Sequence, residues 1–293
     1  MVADQTHKAK SKTSCFFIYA LKLTLSVLAI SYLVKMAGKE TYLAAISSFG
    51  FLFILIATLL YIFSQWVSAV RLGVFFKLIN TQIGLFENFK LYLIGMSYNL
   101  FLPGGIGGDG YKYVVLKRDY NSSGNPTLHA ILLERLCGLA SIAILLSIVA
   151  SFWRIIQFQS TWFLLLSAIF YIIAYYSCKR FFPAFLVGFH KAMVLSFVVQ
   201  AIQIFTICFI AFRLGVNSPL EISGVFLLST LATAIPVFLG GVGARELVFA
   251  SFGETLGVES SLLVSIAIVF SICMVLSAIP GLFLDWMQKR RRV

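Results

Sequence analysis

Two short stretches combine glycines with a cation in a way that could hold an anion. The first runs Asn99-Leu100-Phe101-Leu102-Pro103-Gly104-Gly105-Ile106-Gly107-Gly108-Asp109-Gly110-Tyr111-Lys112. The second runs Ile235-Pro236-Val237-Phe238-Leu239-Gly240-Gly241-Val242-Gly243-Ala244-Arg245-Glu246. Glycines reach backbone angles that other residues avoid, and they leave N–H groups open to close approach. Each break is followed by a helix start, which carries partial positive charge and free N–H donors. Lys112 lies about one turn into the first resumed helix, and Arg245 lies in the first turn of the second. Either cation suits a phosphate, Arg through its bidentate fork and Lys as a point charge.

Carboxylates stand close by. Asp109 has two readings, a cap for a helix that resumes at Gly110 or a member of the binding site. Glu246 could pair with Lys112 or Arg245, or carry a proton. Glu134 and Arg135 fall in the first two turns of a stretch that is otherwise apolar to Ala150. They are either interior-facing functional groups or an ion pair at the membrane surface. The candidate binding set is Asn99, Gly104, Gly105, Gly107, Gly108, Asp109, Lys112, Glu134, Arg135, Gly240, Gly241, Gly243, Arg245 and Glu246.

These residues must be positioned by a membrane protein. The chain is 60% hydrophobic and 12% charged, about half the charged fraction of a soluble domain, with a mean hydropathy of +0.96. The apolar runs near 16–36, 49–70, 128–150, 161–178, 192–212 and 262–284 are each close to the ~20 residues a bilayer requires. The net charge of +12 raises the possibility of nucleic acid. However, the cations sit in short segments beside apolar runs, as the positive-inside rule expects, so no nucleic-acid partner is expected. Residues 1–15 read as a cytoplasmic tail and 16–36 as a retained first span. The tail 285–293 is basic. Five scattered cysteines and three dispersed histidines suggest neither disulfides nor a metal site, and no cofactor is expected. Gly105-x-Gly107-x-x-Gly110 matches a dinucleotide-binding pattern, but its flanks are membrane-helical and not βαβ. No Lys-Ser/Thr follows the glycines, so the P-loop fails too.

Charge placement distinguishes two topologies. If both interrupted stretches crossed the membrane once, Lys117, Arg118, Lys179, Arg180 and Lys191 would lie outside. If each enters and returns on one side, those cations lie inside with Arg71, Lys77 and both termini, leaving outside little beyond Lys39, Arg154 and Arg213. The expected fold is therefore all-α, with six full spans and two oppositely oriented re-entrant hairpins at about 86–118 and 223–253. The halves 16–150 and 161–284 then form an inverted repeat. An offset of 136 carries position 104 onto 240 and 128 onto 264. Sites in such repeats lie where broken helices meet near the midplane.

Three segments carry a family resemblance: Leu102 to Lys112, Leu133-Glu134-Arg135-Leu136-Cys137-Gly138, and Gly240 to Glu246. They resemble the flippase-like membrane domain of lysylphosphatidylglycerol synthases, in a stand-alone form. The resemblance implies movement of a lipid between leaflets of a bacterial or archaeal plasma membrane. It also implies a possible lipid-modifying enzyme as partner. The aminoacyl-transferase domain of those synthases is not expected here. Two residues depart from the family pattern, Lys112 in place of Arg and Leu239 in place of Pro. The resulting expectation is a non-enzymatic translocase for a lipid with an anionic or phosphate-bearing headgroup. Its alternatives are an enzyme or enzyme accessory acting on a polyprenyl phosphate or phospholipid, and a small-anion transporter.

Overall fold

The computed structural model describes residues 47, 49–101, 106–120, 122–153, 160–234 and 243–290. The first expected span lies outside these residues, as do Gly104, Gly105, Gly240 and Gly241. Among the described residues all regular structure is helical. The helices are α1 (Phe51–Leu78), α2 (Leu85–Phe101), α3 (Ile106–Asp119), α4 (Gly124–Phe152), α5 (Ser160–Phe181), α6 (Leu186–Arg213), α7 (Pro219–Ala234), α8 (Ala244–Ser251), α9 (Gly253–Leu256) and α10 (Ser260–Arg290). A single 3-10 turn, Pro183–Phe185, leads into α6.

Five helices are long and apolar enough to cross a membrane: α1, α4, α5, the Pro183–Arg213 segment and α10. They match the last five expected spans. The four between them are shorter: α2 has 17 residues, α3 14, α7 16 and α8 8. At 1.5 Å per residue none of the four comfortably spans a hydrocarbon core of about 30 Å.

Two boundaries differ from the sequence reading. The second span was expected to close at Arg71, but α1 runs on to Leu78 and buries Arg71. The residues after Arg71, Leu72 to Phe76, are apolar, and Leu72, Phe75 and Phe76 are fully buried, so packing carries the helix past the charge. Helix α3 begins at Ile106 and not at Gly110, which takes Gly107, Gly108 and Asp109 into its first turn and puts Lys112 in its second. Asp109 is therefore no N-cap. Asn99 of α2 serves instead, accepting the Gly108 N–H at 2.7 Å.

Close backbone approaches set the positions of these short helices. A Cβ on Gly108 would run into the carbonyl of Gly95, so α2 and α3 cross at a glycine pair. A Cβ on Gly281 would overlap the carbonyl of Leu93. Pro280 precedes it inside α10 and lacks the N–H that would continue the ladder. Asn88 donates to the carbonyl of Ala69 at 2.6 Å and ties α2 to α1 beside Arg71.

The packing has a regular pattern. Let α1, α2, α3 and α4 exchange with α6, α7, α8 and α10. Helix α2 packs on α3 and α10, and α7 packs on α8 and α4. Helix α1 packs on α2, α10 and α4, and α6 packs on α7, α4 and α10. Helix α3 meets α4 as α8 meets α10, and the central α1–α6 contact maps onto itself. Two hydrophobic cores lie mainly one on each set, with α6 contributing to both. One gathers Leu72, Phe76, Leu116, Leu133 and Phe189, the other Ile207, Phe226, Phe249, Ile266 and Phe270.

Candidate functional site

The first core encloses a charged network. Arg71 of α1 pairs with Glu134 of α4 and donates to the Ser196 hydroxyl of α6 at 2.8 Å. The Tyr92 hydroxyl of α2 donates to the same Glu134 oxygen at 2.6 Å. Lys112 of α3 lies 3.5 Å from the centroid of the Tyr92 ring and 3.7 Å from Asp109 Oδ1. The other Asp109 oxygen pairs with Arg135. Arg71, Lys112 and Glu134 are all at most 6% exposed. Gly138, one turn after Glu134, leaves room for the Arg71 guanidinium, whose Nη1 would stand 3.6 Å from a Cβ there.

Among the described residues three cations meet two carboxylates in this network, Arg71 and Lys112 buried and Arg135 more than a third exposed. Burying such a network is expensive unless its charges are paired and hydrogen-bonded, as Arg71 and Glu134 are here. Lys112 and Arg135 meet at Asp109, between α3 and α4. A phosphate there would find point-charge and fork donors together.

The second core holds one cation. Arg245, in the first turn of α8, is 5% exposed. Its guanidinium carbon lies 4.6 Å from the Phe270 ring centroid and 5.7 Å from that of Phe226. Its Nη1 approaches Met274 Sδ at 3.5 Å. Among the described residues it makes no ion pair, and its buried Nε has no hydrogen-bond partner. Stacking on ring faces stabilises a desolvated guanidinium without neutralising it. Glu246 does not pair with Arg245 or Lys112. It accepts the Gly243 N–H and the Ser271 hydroxyl, both at 2.7 Å. Gly243 has φ 93°, which favours glycine at this helix start.

The candidate residues are thus brought together in part. Asp109, Lys112, Glu134 and Arg135 form one cluster, with Gly107, Gly108 and Asn99 beside it. Gly243, Arg245 and Glu246 form a second. Tyr61, which meets the Phe270 ring edge-on at 5.6 Å, and Arg71 lie ten positions apart on α1. The clusters are therefore separated by roughly 15 Å along that helix. The N–H donors expected to be open are partly taken, by Asn99 at α3 and by Glu246 at α8. Glu134 and Arg135 are neighbours in sequence but pair with different partners. Arg71, Tyr92 and Ser196 were not anticipated as site residues. For Arg71 the signal was the apolar run that follows it. Nothing in the local sequence distinguishes Tyr92 from the other eleven tyrosines.

Two of the three resembling segments supply this network, and the third, Gly240 to Glu246, contributes to the second cluster. Glu134, Arg135 and Gly138 supply the α4 face of the network, and Gly108, Asp109 and Lys112 its α3 face. Residues 19–281 match the family described as the lysylphosphatidylglycerol synthase TM region. A search of curated proteins finds no match. With five membrane-length helices and a family match over most of its length, this chain is a multi-pass, all-helical integral membrane protein, and it belongs to the lysylphosphatidylglycerol synthase TM region family.

Proposed function

We propose that this protein moves a lipid with an anionic or phosphate-bearing headgroup between membrane leaflets. The observation that carries this reading is the convergence of three cations, Arg71, Lys112 and Arg135, on Glu134 and Asp109 among apolar helices, with Arg135 at the partly exposed edge of the cluster. Ionisable groups gathered inside a membrane protein are functional-site candidates, and Lys and Arg meeting at one carboxylate offer a phosphate point-charge and fork donors. The acyl or isoprenyl chains would remain in the bilayer, against the exposed apolar faces of the bundle. The family match supports a role in membrane-lipid handling.

The architecture of the proposal has six spans and two re-entrant hairpins, α2–α3 and α7–α8, entering from opposite sides. The packing pattern that survives exchange of α1–α4 with α6, α7, α8 and α10 supports an inverted repeat. In such folds one repeat rocks against the other around a site near the midplane. Both termini are cytoplasmic in this proposal, which puts Lys117, Arg118, Lys179 and Arg180 inside. The Arg71 network then faces the cytoplasmic half and Arg245 the outer half. The membrane is a bacterial or archaeal plasma membrane, the protein performs no bond chemistry, and a lipid-modifying enzyme is a natural partner.

The test is a leaflet-resolved assay. Purified protein is placed in liposomes with labelled phosphatidylglycerol or a labelled polyprenyl phosphate, beside an Arg245→Glu variant. Movement of one lipid class that the variant loses is the expected result. If no lipid moves, with or without a proton gradient, the translocase reading is overturned. Headgroup conversion in the same vesicles would support an enzyme, and uptake of a soluble anion a small-anion transporter.

A further inference from the structure

Glu246 is a buried carboxylate without a cation. It is 2% exposed and lies on α8 beside the second core, where Phe226, Phe249 and Phe270 are fully buried. No ion pair among the described residues includes it. Arg245 precedes it in sequence, yet turns to the Phe270 and Phe226 rings, while Glu246 reaches back to the Gly243 N–H. In the first cluster each carboxylate meets a cation. In the second, one carboxylate and one cation are buried without touching. Few other titratable groups stand on the helices packed against α8. Helix α10 carries no charged side chain between Ser260 and Leu284, and its Cys273 is buried against the Ile54 carbonyl of α1. Helix α7 carries only Glu221, in its first turn, and α9 only Glu254, which is exposed. From α1, Tyr61 meets the Phe270 ring.

Capping explains half of this arrangement. Glu246 is the third residue of α8, and its Oε2 accepts the Gly243 N–H at 2.7 Å, which closes the first turn. The cap does not need Oε1, which meets Ser271 Oγ of α10 at 2.7 Å. A backbone N–H can donate to a carboxylate or to the carbonyl oxygen of an acid. A serine hydroxyl either donates or accepts. It donates to the ionised carboxylate and accepts from the acid, so Glu246 can gain or lose a proton with both oxygens still bonded. The helix start favours the charged form, and the apolar surroundings favour the neutral one. Arg245 is the independent sign that an anion belongs here, since it is a cation only 5% exposed whose buried Nε has no partner.

We propose that Glu246 carries a proton that is co-transported with the anionic headgroup. This rests on the translocase reading and names its driving ion. Buried carboxylates serve as proton carriers in many pumps and transporters. With Glu246 ionised, its charge offsets that of Arg245 and the second cluster is neutral as a whole. A proton from water binds Oε1 and converts the carboxylate to an acid that donates to Ser271 Oγ. The charge of Arg245 is then free to hold one monoanion. On the other side of the membrane the anion leaves, the acid returns its proton to water, and the cluster is neutral again. One proton and one monoanion cross together, no net charge moves, and only the O–H bond forms and breaks.

Two measurements on the full chain test this. The first follows leaflet-to-leaflet movement of labelled phosphatidylglycerol from about pH 8 to about pH 5, for wild type and Glu246→Gln. The phosphodiester of this lipid stays ionised throughout. Gln keeps the bond to Gly243 and offers Ser271 a donor, so the cap is preserved and the side chain imitates the acid. Wild-type movement should rise at least about 10-fold as the pH falls, and a pH gradient should draw the label toward the alkaline side. The variant should stay within about 2-fold across the range and ignore the gradient. A residue that only caps the helix predicts a variant that follows wild type at every pH, and that result overturns the proposal. A wild-type rate that changes less than about 2-fold overturns it too, even if the variant does not fold. The second measurement needs no lipid. Infrared difference spectra of the purified protein over the same pH range should show a carboxylic acid carbonyl band at low pH that Glu246→Gln lacks. Identical spectra for the two proteins overturn the proposal. If wild type moves no lipid, the translocase reading fails, while the infrared band still decides whether Glu246 takes up a proton.

Discussion

The two cation sites differ in how their charge is held. At the first, Arg71 meets a carboxylate, a serine hydroxyl and, through Glu134, a tyrosine hydroxyl. Lys112 and Arg135 share Asp109. At the second, Arg245 rests on Phe270 and Phe226 beside a methionine sulfur, with no carboxylate partner among the described residues. In the proposed reading the first is a pre-organised receptor, its cations already held in place by carboxylates and hydroxyls. In the same reading the second is a single charge in an aromatic setting that would draw an anion and release it. A carrier needs both properties, because a site that only binds tightly cannot turn over.

The comparison makes its largest prediction for Glu134. Glu134→Leu leaves Arg71 buried without its counter-charge, and losing one partner of a buried pair costs about 3–5 kcal/mol. Thermal unfolding in detergent should show a large drop in Tm or no folded protein. Combining it with Arg71→Met removes the stranded charge and should recover most of that stability while transport stays lost. A double variant as unstable as Glu134→Leu alone would mean that the pair does not act as a unit.

Gly108→Ala comes next. Its methyl group overlaps the Gly95 carbonyl, and forcing extra volume into a tight contact costs about 1–3 kcal/mol. It should also spread α2 from α3 and break the Asn99 bond to the Gly108 N–H. Gly95→Ala meets Gly108 and Lys112 Cε only at 3.4 Å and should be milder, a ranking that denaturation of the two variants checks directly. Tyr92→Phe removes only the hydroxyl that donates to Glu134. Hydrogen bonds to charged groups contribute about 1.5–3 kcal/mol, so a Tm loss below that of Glu134→Leu and similar to that of Gly108→Ala is expected, with lipid binding weakened and not abolished.

Arg245→Met should have the smallest effect on stability. No carboxylate among the described residues is stranded by it, and Met packs well against Phe226 and Phe270. The folded protein should be at least as stable as wild type while lipid movement falls strongly. A marked loss of stability would show that Arg245 holds a structural partner, and the contrast between the two sites would then disappear.

Much of this division was legible in the sequence. Long apolar runs marked the five membrane-length helices among the described residues, because the bilayer requires a near-constant length. The glycine breaks marked where helices stop, and Lys112, Asp109, Glu134, Arg135 and Arg245 were visible as ionisable residues in apolar surroundings. Pairing was not legible. Glu134 and Arg135 are adjacent in sequence, yet each side chain points along a different direction of the helix and finds a partner on another element. Asn99 reaches Gly108 only because two glycines let α2 and α3 touch.

The most direct test of the central claim separates capture from movement at the two cations. Labelled phosphatidylglycerol binding and its leaflet-to-leaflet movement would be measured for Lys112→Met and Arg245→Met against wild type. Lys112→Met should lose both binding and movement, whereas Arg245→Met should keep binding within about 2-fold and lose movement at least about 10-fold. If both variants lose binding equally, or if both still move lipid at the wild-type rate, the account of one receptor and one relay is wrong.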